Sequence, residues 1–430
     1  MSSSLSAPRR FRHLRHHLAV IVTLTAPIVA GAAAAPGAAG DPPAAPGAKL
    51  AASEAAGLQA LGDRDSAKGD YATAEIAYRQ ILNGPSFTPA DQKTALLGLA
   101  HMYRRAGQLT KGAAVYEKFL KLFPDDPRVP DAFLDLGRTL RDMGAYELAL
   151  TRFYSVINTT LKLPAQGWDH YTLLAKTAQF EIAQTYYEEG DFAQAGKFFT
   201  RVRLLDLAPT DRARAHFMAG CAEQRAGELE AAATTLHDYL EQWPADENVP
   251  EARYVLATTL DELNRHQEAM AVTLSLLNAE HAKIASDPKR WNYWQRRTGN
   301  QLANRFFQSG NTLDALKIYS YLTALSDDPG WRLPIVYQTA LCYERLFQTD
   351  RARAAYQAVV DAAKPAKGSA PMPEIVELAS MASWRIQHLE WRDDMNRKLT
   401  KLIVPDKVPA APAKPADAPA APPPSPPPAS

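Results

Sequence analysis

A short pattern recurs eight times along this chain. Its clearest copies read GDYATAEIAYRQIL from Gly69, GAYELALTRFYSVI from Gly144, GDFAQAGKFFTRVR from Gly190 and GNTLDALKIYSYLT from Gly310. In each copy a Gly opens a turn, a small Ala or Gly follows, and an aromatic comes four residues after that. A fixed period of this size leaves few folds open. One such unit cannot bury its apolar face alone, so successive units stack as helical hairpins and bury it against each other. Stacks of this kind hold other proteins more often than they do chemistry.

The spacing of apolar residues is helical throughout. Leu96, Leu99, Ala100 and Tyr103 form one stripe, and Val115, Tyr116 and Phe119 form the stripe of its partner helix. The hairpins fall near 55–86, 93–127, 130–163, 176–208, 213–247, 250–278, 296–329 and 333–365. The turn Gly suits a helix end that needs a positive φ. The sixth copy has Asn264 there, and the eighth has no Gly in its turn. A closing helix is expected over 373–402, with Ile375, Leu378, Ala382, Ile386 and Leu389 facing the stack. Its opposite face is expected to be charged, through Arg385, Glu390, Arg392, Asp393 and Asp394.

A longer period lies over the short one. FLKLFPDDPRVPDAFLDLGRTL from Phe119 matches YLEQWPADENVPEARYVLATTL from Tyr239, at an offset of 120 residues. Two insertions, near 158–175 and 278–295, share that offset. One reading is a duplicated three-hairpin block with longer helices or loops at two places. The other is that Trp168, Tyr171, Trp291 and Trp294 form two equivalent contact sites.

The two ends of the chain differ from the middle. Residues 1–34 read as a secretory signal: a basic start without acids, the apolar run LAVIVTLTAPIVA, then small residues for cleavage. An uncleaved N-terminal membrane anchor is the alternative. Residues 35–49 are rich in Pro, Ala and Gly and read as a disordered linker, and 50–402 carry the repeats. In 403–430 the Pro/Ala-rich composition reads as a disordered tail that favours polyproline II. These assignments imply a periplasmic or secreted bacterial protein.

Charge excludes one class of partner. The formal net charge is +1, with 48 basic and 47 acidic residues. Loss of Arg9, Arg10, Arg12 and Arg15 with the signal leaves 44 basic against 47 acidic. A near-neutral chain has no electrostatic footprint for nucleic acid. Cys221 and Cys342 lie three repeats apart, too far for a disulfide, and read as buried free thiols. No Walker A loop, G-x-S-x-G, H-E-x-x-H or C-x-x-C occurs, and the histidines are scattered. No enzymatic activity, cofactor or metal site is expected.

The pattern closely resembles the tetratricopeptide repeat. That family has a small residue late in the first helix of each hairpin, here Gly62, Ala100, Gly137, Ala183, Gly220, Ala257, Ala303 and Ala340. It has another early in the second helix, here Ala74, Gly112, Ala149, Ala195, Ala232, Ala269, Ala315 and Ala352. An aromatic follows at Tyr78, Tyr116, Phe153, Phe199, Tyr319 and Tyr356, replaced by Leu236 and Thr273 in the fifth and sixth copies. The resemblance implies an all-α, TPR-like α-solenoid, a right-handed superhelix of about eight hairpins plus the closing helix.

In that family the first helices line a concave groove that binds peptides. By alignment the groove positions here are Arg104, Arg105, Arg138, Arg141, Gln184, Tyr187, Tyr254, Asn300, Asn304 and Tyr337. Asn300 and Asn304 partly echo the carboxylate clamp of chaperone-binding members, but the clamp lysines are missing. FPDDPRVPDAFLDLG and WPADENVPEARYVLA are also similar to secreted bacterial repeat proteins of the cell envelope, including the Tol-Pal coordinator and the outer-membrane assembly lipoprotein. The function implied is an exported scaffold that binds an envelope protein or peptide, with peptidoglycan or membrane-complex association in view. The alternative is a structural spacer joining envelope layers through its Pro-rich tail.

Overall fold

A computed structural model describes residues 46–161, 167–279, 281–363 and 373–403. The signal segment, most of the linker, parts of both insertions and the tail 404–430 lie outside the described residues. Among the described residues there is no strand. The hairpins are α1 (Pro46–Lys68) with α2 (Tyr71–Asn83), α3 (Pro89–Arg105) with α4 (Leu109–Leu122), and α5 (Val129–Asp142) with α6 (Tyr146–Thr160). They continue as α7 (Trp168–Glu189) with α8 (Phe192–Val202), α9 (Pro209–Ala226) with α10 (Leu229–Gln242), and α11 (Val249–Glu262) with α12 (His266–Leu277). After a short α13 (His281–Ser286) come α14 (Pro288–Ser309) with α15 (Thr312–Ala324), α16 (Pro329–Arg345) with α17 (Thr349–Ala362), and α18 (Pro373–Ile403). The chain is an all-α solenoid. No described helix is long and apolar enough to cross a membrane.

Helix α1 starts at Pro46 and so takes the last residues of the stretch read as a linker. Pro at the first helical position costs no hydrogen bond, and Ala48, Lys49 and Leu50 are good helix formers.

The repeat residues make the helix crossings. Every alanine at the two small positions is fully buried. Where the first helix has Gly62, Gly137 or Gly220, a Cβ would stand 2.6–2.7 Å from the side chain of Tyr78, Phe153 or Leu236. The ring and the missing methyl thus share one volume. Thr273 is also fully buried, and its hydroxyl donates to the Ala269 carbonyl at 2.7 Å.

All eight hairpin turns pass through a left-handed residue. Gly69, Gly107, Gly144, Gly190, Gly227 and Gly310 have φ between 71° and 97°, Asn264 has 60° and Phe347 has 58°. The turn geometry holds even where its preferred residue is absent.

The longer period is also structural. In the two matched loops, Asp126 and Asp246 each accept the backbone N–H two residues on, from Arg128 at 3.0 Å and Asn248 at 2.9 Å. The N–H of Val129 and of Val249 then donates to the carbonyl of Asp126 and Asp246, at 3.0 and 3.2 Å. The insertions lengthen first helices: α7 and α14 each have 22 residues. Tyr171 and Trp291, which correspond under the offset, are both buried. The four insertion aromatics are therefore not two equivalent surface sites. Trp168 stands exposed at the start of α7, and its counterpart is Pro288.

Part of the charged face expected on α18 is turned inward, while Glu390 stays exposed and Asp394 pairs with Lys398 of the same helix at 2.8 Å. Arg385 pairs with Glu344 of α16 at 3.4 Å, Asp393 with Arg353 of α17 at 3.0 Å, and Arg392 reaches Thr349 at 3.4 Å. The reason is angular. A residue three positions from a buried one is displaced by only about 60° on a helix of 3.6 residues per turn. Arg385 and Arg392 follow the buried Ala382 and Leu389 by three, so they flank the packed stripe.

Candidate functional site: the inner wall

Neighbouring first helices approach one another closely: α1 with α3, α5 with α7, α9 with α11, α11 with α14, and α16 with α18. Among the second helices of the described residues, α12 and α15 alone approach to a similar degree. The first helices are therefore on the inside of the curve. The candidate residues sit on them, but in two different states.

On the N-terminal half the wall is closed by ion pairs. Arg138 Nε donates to Glu181 Oε1 at 2.6 Å, and Arg141 Nη1 to Glu181 Oε2 at 2.5 Å. Burial pushes the Glu181 carboxyl up, but the two guanidinium groups outweigh it and hold it below its ordinary value. Burial likewise works against the Arg138 charge, and Glu181 with Asp135 overcomes it. Arg141 also meets Glu188 at 3.5 Å, and Arg104 donates to Asp142 at 3.1 Å. Gln184 donates to Glu188 at 3.0 Å. These side chains tie α3 to α5 and α5 to α7.

Other candidates are committed inside the stack. In three hairpins a buried Tyr hydroxyl meets the residue just after the small position: Asp63 at 2.6 Å, His101 at 3.1 Å and Asn304 at 2.5 Å. Asn304 is thus the partner of Tyr319. Tyr187 packs edge-on against Phe192 at 5.2 Å, and burial pushes its phenol up to about 12. Tyr337 is a correction to the groove assignment. It is 6% exposed and packs against Tyr356 at 5.4 Å, because α18 covers that end of α16. Asn300 is half-buried on α14. Arg105 is exposed and borders an open cavity of about 430 Å³ with Asp63, Tyr78 and His101.

The C-terminal half differs. Tyr254 of α11 lies on Trp294 of α14, centroids 4.9 Å apart and planes at 32°. Tyr293 meets Trp294 edge-on at 4.9 Å. The Arg297 guanidinium lies over all three rings, 5.2 to 5.9 Å from their centroids, and donates to the Tyr293 hydroxyl at 2.6 Å. The Tyr254 hydroxyl donates to Gln301 at 3.0 Å. Tyr254, more than any other partner, pushes the Arg297 pKa above the ordinary guanidinium value. Tyr293 remains 45% exposed. Of this group the alignment found only Tyr254. Trp294 was legible as an insertion aromatic, while Tyr293 and Arg297 carried no signal.

The two halves occupy corresponding places. Under the 120-residue offset Glu181 becomes Gln301 and Arg141 becomes Asp261. Gln301 bonds Tyr254, and Asp261 pairs with Arg305 at 2.9 Å and with His266 at 2.9 Å. Both junctions carry an ion pair, and the later one adds an aromatic stack, with Tyr254 and Trp294 where the earlier block has Leu134 and Leu174. A mixed aromatic and guanidinium surface offers contact area, stacking and hydrogen bonds together, the chemistry enriched at protein interfaces.

One group of potential metal ligands comes together among the described residues: His237, Asp238 and Glu241 on α10. All three are exposed, and His237 pairs with Glu241 at 3.5 Å as an ordinary helical i,i+4 contact. Both cysteines are buried and free. Burial pushes the Cys342 thiol up to about 12, which leaves it unreactive.

A family model described as Tetratricopeptide repeat matches residues 54–127, 97–158 and 217–283, and a second of the same description matches 336–363. The chain carries tetratricopeptide repeats, and its fold is a solenoid of that type. None of the curated proteins compared matches the sequence. Among solved structures, the apo form of RapI is 12% identical with a TM-score of 0.49, covering 77% of this chain and 86% of its own. The C-terminal part of a TPR repeat-containing protein from Cytophaga hutchinsonii is 14% identical with a TM-score of 0.47, covering 63% of this chain and 96% of its own. The BtubC protein of P. vanneervenii is 19% identical with a TM-score of 0.37, covering 45% and 84%.

Proposed function

We propose that this protein is an exported, non-catalytic scaffold that holds a segment of a cell-envelope protein along its inner wall. The observation that carries this is the unequal wall. Arg104, Arg138 and Arg141 spend their charge on internal acids, whereas Tyr254, Tyr293, Trp294 and Arg297 form a half-exposed cluster on two adjoining first helices. Aromatic and Arg anchors carry most of the free energy of protein recognition when a partner completes their desolvation. Export and the envelope setting rest on the N-terminal sequence and on the similarity to secreted envelope repeat proteins.

Affinity capture from envelope extracts tests the reading. The wild-type chain should retain a defined partner, and Tyr254→Ala with Trp294→Ala should lose it while the helical signal by circular dichroism is unchanged. Equal recovery by a folded double variant would remove the aromatic cluster from the account.

A further inference from the structure

The last helix presents an uncovered aromatic face. Trp384 is 58% exposed and Trp391 59% exposed, although a closing helix ordinarily shows solvent a polar side. His388 stacks between them, 5.5 Å from Trp384 and 5.9 Å from Trp391. Met381 at 47%, Leu399 at 53% and Leu402 at 79% extend the stripe. It lies about 200° around the helix from the buried Ala382 and Leu389. From Asn396 to Leu402 every residue is exposed.

The chain itself supplies a matching segment at the end of this helix. After Ile403 come 27 residues, Val404 to Ser430, of which 11 are proline. Pro409, Pro412 and Pro415 recur every third residue, and Pro419 and Pro422 resume that step. Three residues make one turn of polyproline II, so prolines at this spacing share a face at intervals of about 9 Å. Trp384 and Trp391, seven residues apart on an α-helix, are separated by about 10 Å. Proline rings against Trp and Tyr faces are a recurring recognition mode, and the preformed helix loses little entropy on docking.

We propose that the C-terminal segment turns back at Asp406–Val408 and lies antiparallel along α18 as a polyproline II helix, with its prolines on Trp391 and Trp384. Length permits this. The stripe from Leu402 back to Met381 covers about 32 Å of α-helix, which about ten polyproline II residues span. With Pro412 on Trp391, Pro415 falls near Trp384 and Pro409 near Arg397. Charge does not oppose it, since the segment holds Asp406 and Asp417 against Lys407 and Lys414. The tail then completes the solenoid cap.

Fluorine NMR of the full chain carrying 5-fluorotryptophan tests this, with Trp384→Phe and Trp391→Phe assigning the two signals. The comparison is with a full chain bearing Pro409→Ser, Pro412→Ser, Pro415→Ser and Pro419→Ser. The expected result is a small H2O-to-D2O shift for both indoles in the parent and the full shift of an exposed indole in the variant, with parent values unchanged on tenfold dilution. Fully exposed shifts in the parent would overturn the proposal. So would shielding that survives the proline substitutions, and so would shielding that fades on dilution with dimers in sedimentation velocity, since a second copy would then be the occupant.

Discussion

Tyr254 of α11 and Trp294 of α14 stack across the junction of two first helices, 4.9 Å between centroids, where the earlier block has Leu134 and Leu174 at the matching positions of α5 and α7. The α5–α7 junction is held by Arg138 and Arg141 on Glu181, and the corresponding α11–α14 junction adds a half-exposed aromatic surface. The consequences can be measured separately.

The ionic junction should be a stability element. Glu181→Gln removes the charge that Arg138 and Arg141 share and leaves them the more distant Asp135 and Glu188, each at 3.5 Å, a loss of about 3 kcal/mol for a largely buried cluster. The pH dependence has a definite sign. The folded pKa of Glu181 lies below the ordinary 4.5, so its contribution is complete above that value and is lost as pH falls through the folded pKa. Urea unfolding from pH 7 to pH 3 should show a steeper acid loss in the parent than in Glu181→Gln. Parallel curves would contradict the pairing.

His216 should set a second acid limb. Its ring is 3% exposed, and its Nδ1 accepts from Trp243 Nε1 at 3.3 Å. Burial, aided by Arg203, lowers its pKa from 6.5 to about 4. The unfolded chain therefore binds this proton first. Stability from this group is full above pH 6.5 and falls by up to about 3 kcal/mol as pH drops to 4. His216→Gln, which keeps an acceptor for Trp243, should flatten the range between pH 6.5 and 4. An unchanged slope there would place the titration elsewhere.

Phe347 holds the eighth turn at φ 58° with its ring 85% exposed, so it bears strain without packing in return. Phe347→Gly should stabilise the last hairpin by about 1 kcal/mol. Amide exchange of α16 and α17 through local opening should slow about fivefold. Unchanged or faster exchange would show that the ring does stabilising work.

Ala149 sits without exposed surface at the crossing of α5 and α6. Ala149→Arg must push the helices apart and bury a charge, at a cost of about 3 kcal/mol or more. A melting temperature within a degree of the parent would contradict the helix register.

Most of the stack was legible in the sequence because its determinants are local. Small residues at the crossings and a positive-φ residue in each turn repeat at fixed spacing, and each reports one backbone requirement. The inner wall was less legible. Arg138 and Arg141 look like binding residues until Glu181, some forty positions on, is brought against them. Asn304 looks free until Tyr319 is seen to donate to it. Pairing across hairpins carries no local mark. On α18 the charge pattern alone points outward, but a 60° offset puts Arg385 and Arg392 beside the buried stripe and leaves Trp384 and Trp391 outside.

The central claim is that recognition occurs on the inner wall around the Tyr254–Trp294 stack. Photo-crosslinking in the native cell tests it most directly, with p-benzoylphenylalanine placed at Tyr293 on the inner wall or at the exposed Leu148 on the outer helix α6. The account predicts one discrete adduct from position 293, lost when Tyr254→Ala is added, and none from position 148. Equal adducts from both positions, or an adduct at 293 indifferent to Tyr254→Ala, would contradict it.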